Sequence, residues 1–249
     1  MRGARHWAVT GRGSMSGPPR AARLALHLAL LLWYLFILSR NLGLSERHPG
    51  AATYGGRWKY LTFLDLVLQA IFFGICVLMD LLALAAKRGR RLQSLAQHVN
   101  TLQDRIFTNL AFPVGSFVVL SFWLLYVYDR ELVYPREMDD IIPQWLNHAM
   151  HSVILMPLLM EVWLVSHHYP SRVSGLVMLS AFCSLYLIWV MWIHSVSGIW
   201  VYPILAKLNP VAKVVFLAVA VISTAPLYLL GEKLEHIRWG NVHWTQKIK

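Results

Sequence analysis

Long apolar stretches constrain this chain more than any other feature. Six of them, at about 21–39, 60–86, 106–129, 146–165, 174–196 and 211–231, reach or approach the ~20 residues that a helix needs to cross hydrocarbon. Barrel strands would need only ~10 residues each. Inside lipid a segment must satisfy its own backbone N–H and C=O groups, which selects the helix. The chain is therefore expected to be all-α: a polytopic membrane protein, a bundle of six transmembrane helices filling 21–231. Residues 1–20 read as a flexible basic tail and 232–249 as a C-terminal tail. Composition agrees, with 57% hydrophobic and 14% charged residues, against about 45–50% and about 25% in soluble domains. A soluble enzyme of ordinary build is excluded, and no room remains for a separate soluble domain.

Charge sets the orientation. The formal net charge is +11, and cytoplasmic loops of membrane proteins carry the excess of Lys and Arg. The side holding both termini, the 2–3 connection (KRGRR at 87–91) and the 4–5 connection carries 15 Lys/Arg, and the other side carries 8. Both termini are thus expected in the cytosol. The basic excess belongs to topology and lipid headgroups; no nucleic-acid motif accompanies it, so the bilayer is the expected partner. The connection at 131–145 mixes Trp and Tyr with acids and is expected at the outer interface. The segment 198–210, broken by Pro203 and Pro210, reads as interfacial or re-entrant, or as an extension of the fifth span. Cys76 and Cys183 both lie in apolar stretches and show no metal-binding spacing.

Ionisable residues inside spans are costly and turn toward the bundle interior. Here they are His27, Asp65, Asp80, His148, His151, Glu161 and His194. Thr62, Asp65 and Gln69 stand at i, i+3 and i+7, one stripe of the second helix, and Asp80 follows five whole turns after Thr62. Asn147, His148 and His151 cluster in the first turns of the fourth. On the expected topology Thr62, His151 and His194 reach similar depth near the outer boundary. A hydroxyl beside an imidazole can attack an ester: the neutral ring takes the proton and later returns it to the leaving alcohol. Asp65 could then orient the ring and Asn147 donate to the oxyanion. The bland alternative is that Thr62 bonds its own helix and the histidines only bridge helices. No G-x-S-x-G elbow is present. The pairs His148/His151 and His167/His168 fall short of a di-iron histidine set. A transporter reading would use Asp65, Asp80 and Glu161, but repeated halves are lacking.

Several segments are similar to the androgen-induced gene family: 54–63 (YGGRWKYLTF), 72–78 (FFGICVL), 110–115 (LAFPVG), 145–151 (WLNHAMH), 198–203 (GIWVYP) and 229–233 (LLGEK). The resemblance spans about residues 20 to 240. It implies six helices with cytosolic termini and hydrolysis of fatty acid esters of hydroxy fatty acids, with no metal or organic cofactor. The family's essential threonine falls on Thr62 and its essential histidine on His151; Asp65, Asn147, His148 and His194 remain supporting assignments from the residues alone. Lys59 or Arg57 is expected to bind the carboxylate of a branched fatty ester. The expected location is an integral membrane position in the plasma membrane, with the endoplasmic reticulum as the other fit. The alternatives are a non-catalytic regulator of another protein's expression and an ion-coupled transporter.

Overall fold

The computed structural model describes residues 18–44, 49–85 and 89–247, and within them every regular element is a helix. Most of the basic N-terminal tail and part of the KRGRR run lie outside the described residues. Helix α1 (Arg20–Gly43) follows two prolines and is rich in Leu and Ala. Its buried residues, His27, Tyr34, Ile37 and Asn41, form one stripe, while Leu28, Leu32, Leu35 and Phe36 face outward. An apolar outer face with polar groups turned inward is the arrangement a lipid solvent demands. Helix α2 (Leu61–Ala85) is the central element, with half its residues buried against α1 and the helices that follow.

The third span is longer than expected. Helix α3 (Arg90–Ile106), a π-helical turn (Phe107–Ala111) and α4 (Phe112–Asp129) run on as one continuous rod. With the 3-10 turn Arg130–Leu132 that continues it, the rod has 43 residues and at 1.5 Å per residue extends about 65 Å, twice the hydrocarbon thickness. The polar α3 therefore projects beyond the apolar segment. The π turn has a local cause: Pro113 offers no N–H to the preceding turn, and a π bulge takes up that defect.

The fourth expected span, 146–165, is not one helix. It divides into α5 (Gln144–His151) and α6 (Leu155–Leu164). Pro157 is the reason, because its ring clashes with the carbonyl four residues earlier and removes one helical bond. The backbone that the break frees is taken up by Trp123, whose Nε1 donates to the His151 carbonyl at 2.9 Å and to Ser152 Oγ at 3.1 Å. Helix α7 (Arg172–Ser197) stops at Gly198, which caps it in the left-handed conformation (φ 70°). The segment after it neither extends α7 nor stays irregular: it forms the short α8 (Pro203–Lys207). Asn209 then caps α9 (Pro210–Ile222), with its Oδ1 accepting from Ala212 N at 2.8 Å. The C-terminal tail is helical over most of its length. Helix α10 (Thr224–Lys247) runs through it, and Trp239 Nε1 donates to the Val162 carbonyl of α6 at 2.8 Å. The apolar side of α10 continues past residue 231 because α6 is there to cover it.

The main core gathers Tyr34, Leu66, Phe72, Phe73, Phe107, Phe112, Leu146 and Ile154 around α2. Among the described residues five helices are long and apolar enough to cross a membrane: Arg20–Leu42, Leu61–Ala85, Arg90–Leu132, Arg172–Ser197 and Pro210–Gly240.

Candidate active site

Thr62 and His151 meet. Thr62 Oγ1 lies 3.2 Å from His151 Nε2, across 89 positions of sequence. Each partner is held by its own local structure. Thr62 is the second residue of α2, and the start of that helix is fixed from outside. Tyr202 Oη accepts from Leu61 N at 3.0 Å, and Tyr186 Oη lies 2.8 Å from Tyr202 Oη and donates to the Lys59 carbonyl at 3.0 Å. Gly55 and Gly56 precede it with φ of 81° and 52°, a region that glycine enters without strain. Their turn folds residues 56–59 back under the helix end.

His151 ends α5, where the break after it stops the helix and leaves the ring free to face α2. Its ring stacks on Phe122 with centroids 3.6 Å apart. Nδ1 sits 3.0 Å from the Asn147 carbonyl oxygen and 2.8 Å from Asn147 Oδ1. Both partners are acceptors, so Nδ1 carries the proton and Nε2 presents a lone pair to Thr62. Asn147 thus faces the ring through its oxygen, a position from which it can orient His151, whereas the sequence reading has it donating to an oxyanion.

Asp65 does not touch His151. It is buried one turn further into the bundle, where its Oδ1 accepts from Gln69 Nε2 at 2.9 Å; the same nitrogen donates to the Ala111 carbonyl in the π turn at 3.0 Å. The i+3 spacing put it on the right stripe but at the wrong height. His148 points away from the site, exposed, bonded to Ser152 Oγ at 3.2 Å and stacked on Trp123. His194 stacks on Trp200, which lines the cavity, and makes no hydrogen bond to either Thr62 or His151.

Two cavities have Thr62 in their walls. One, of about 290 Å³, is lined by Thr62, His151, Arg57, Asn41, Tyr134 and Trp200 among others. The second, of about 130 Å³, is walled by apolar side chains such as Val114, Phe117, Phe182, Leu187 and Phe216, and it also reaches Thr62. The expected carboxylate ligands separate here. Arg57 lines the larger cavity and donates from Nη1 to Asn41 Oδ1 at 2.8 Å. The Lys59 ammonium instead donates to the Gly50 carbonyl at 2.7 Å and to Thr53 Oγ1, holding the loop before α2. Burial lowers the pKa of both basic groups.

Trp123 and the Tyr186–Tyr202 pair escaped sequence reading. The only sequence signal for Tyr202 was its Tyr-Pro dipeptide, which reads as punctuation.

Apolar helices with polar groups turned inward define a polytopic integral membrane protein. The chain belongs to the FAR-17a/AIG1-like protein family, whose model matches residues 22–236. It is 46% identical over 220 residues to the human androgen-induced gene 1 protein, covering 86% of this chain and 90% of the relative. It is 42% identical over 224 residues to the human androgen-dependent TFPI-regulating protein, covering 89% and 95%. A UPF0641 membrane protein of Schizosaccharomyces pombe matches at 24% identity over 204 residues, covering 81% and 83%. No solved structure matches.

Proposed function

We propose that this protein is a six-span membrane hydrolase that cleaves the internal ester of fatty acid esters of hydroxy fatty acids, with Thr62 as nucleophile and His151 as base. The observation that carries the reading is the 3.2 Å contact between Thr62 Oγ1 and an imidazole whose other nitrogen is tied to Asn147. A hydroxyl and a base in reach, with the base held by a third group, is the arrangement that nucleophilic catalysis needs. In this reading α5 and α6 together make the sixth span, and the Lys/Arg balance supports cytosolic termini. The plasma membrane is the proposed location.

The mechanism runs in two halves. His151 Nε2 accepts the Thr62 proton as Oγ1 attacks the ester carbonyl. The resulting oxyanion lies at the N-terminal turn of α2, where Leu61 N already donates to Tyr202 Oη and Phe63 N and Leu64 N to the Tyr60 carbonyl, so the N–H of Thr62 itself is the donor assigned to it. Collapse expels the alkoxide of the hydroxy fatty acid, which takes the proton from Nε2 and leaves acyl-Thr62. Water then gives a proton to Nε2 and attacks the acyl carbonyl. Thr62 Oγ1 departs, recovers that proton, and the fatty acid is released.

The two cavities suit the two ends of the substrate. Arg57 pairs with the free carboxylate in the larger cavity, and an acyl chain lies in the apolar one. Membranes carrying wild-type chain should label with a lipophilic serine/threonine-hydrolase probe and release fatty acid from a branched fatty ester. Thr62→Ala should abolish labelling and lower turnover by at least ~10³-fold, as loss of a nucleophile does; His151→Ala should do the same. Wild-type membranes without labelling or turnover would favour a regulatory role, of the kind named in the androgen-dependent TFPI-regulating relatives.

A further inference from the structure

A second polar assembly lies at the far end of α2. Cys76 is 14 residues beyond Thr62, about 21 Å along the helix axis. Asp80 accepts from Arg23 Nε at 2.6 Å and lies 2.7 Å from His27 Nδ1. His27 Nε2 meets Glu161 Oε2 at 3.0 Å. His167 Nε2 meets the other oxygen of Glu161, also at 3.0 Å, and His167 Nδ1 lies 3.1 Å from Asp104 Oδ1. Both imidazoles are thus arranged alike: Nδ1 on a carboxylate and Nε2 on Glu161. Cys76 Sγ lies 3.9 Å from Glu161 Oε1 and accepts from Gln103 Nε2 at 3.3 Å. The donor atoms of His27, Cys76 and Glu161 all fall within 4.8 Å of one another, and each residue is at most 1% exposed.

We propose that His27, Cys76 and Glu161 bind a Zn²⁺ ion that joins α1, α2 and α6. One nitrogen, one sulfur and one oxygen form a donor set that zinc accepts; calcium and magnesium prefer oxygen, and copper(I) prefers more sulfur. The surroundings match what a ligated site requires. A metal-bound imidazole gives its second N–H to a carboxylate, as His27 does to Asp80. Bound as thiolate and carboxylate, Cys76 and Glu161 neutralise the dication, and Arg23 neutralises Asp80. His167 Nε2 lies 3.0 Å from Glu161 Oε1 and holds that carboxylate from outside the three-donor set. The run of ion pairs from Arg23 to Asp104 is complete without Cys76, so a purely electrostatic role leaves the sulfur and its amide donor unexplained. Ion pairing alone is also a weak reason to bury this many charges, since desolvation offsets much of the gain.

The full-length chain would be purified in detergent from zinc-supplemented cells, washed with a mild chelator and analysed for metal by mass spectrometry. The expected result is one zinc per chain in wild type and in Thr62→Ala, with loss in Cys76→Ser. Asp80→Asn should hold zinc about 10–100-fold more weakly, as loss of an outer hydrogen-bond partner does. Replacement by Co²⁺ should give a thiolate-to-cobalt absorption band. Zinc content in wild type no higher than in Cys76→Ser would overturn the proposal. If Cys76→Ser does not fold, a Co²⁺-treated wild-type chain without the thiolate band overturns it equally. Retention of metal by Thr62→Ala separates this site from the hydrolase reading.

Discussion

The two ends of α2 use the same side chain in opposite ways. At the first end His151 has a neutral partner, Asn147, on Nδ1, and its Nε2 faces a hydroxyl on the wall of a cavity. At the other end His27 and His167 have carboxylates on Nδ1, and both Nε2 atoms face Glu161 in a closely packed interior. Open space and a neutral partner leave a lone pair for moving a proton. Carboxylate partners and close packing hold the ring for a cation. The chemistry of an imidazole in this bundle is set by what stands behind it.

This contrast can be broken at either end. The largest effect outside the Thr62–His151 pair belongs to Glu161→Ala, which strands two imidazoles. Removing one member of a buried ionic set costs about 3–5 kcal/mol, and the drop should appear in the thermal aggregation profile in detergent. Stability within about 1 kcal/mol of wild type, on the order of a surface change, would show that the buried ionic end is not a structural hub. Next comes Asn147→Ala, which frees the His151 ring to turn. It should lower kcat by about 10–100-fold, part of the rate that a positioned base supplies, with KM little changed; an equal loss in KM alone would assign Asn147 to substrate instead. Arg57→Gln should raise KM about 10-fold for a free-acid ester and leave the methyl ester of the same substrate unaffected, since only the former presents a carboxylate to pair. The smallest effect is expected for His148→Ala. It should change turnover less than about twofold, as exposed substitutions away from a site usually do; a loss as large as that of Asn147→Ala would place His148 in the reaction.

Much of this was legible in the sequence, for identifiable reasons. Apolar runs of about 20 residues have one solution in lipid, so the helices and their order followed from length alone. Thr62 and His151 were both marked as polar groups in an apolar setting. Their neighbours were less certain because helical spacing gives a stripe but not a height on the facing helix. Asp65 illustrates this: correct face, wrong level, and bonded to Gln69. Lys59 and Arg57 stand two residues apart in one turn, yet the ammonium holds a loop and the guanidinium lines a cavity.

By itself, then, the sequence determined the solvent, the helical class and which side chains were too polar for their surroundings. Those properties depend on local composition and period. Tertiary structure decided the partners. It let Trp123 satisfy the carbonyl freed where the fourth span breaks ahead of Pro157, and it brought His151 onto Thr62 from 89 residues away. It also gathered His27, Cys76 and Glu161, whose separation in the chain resembles no metal motif. A polar group buried in lipid must find its partner wherever packing places one, and sequence distance plays no part in that choice.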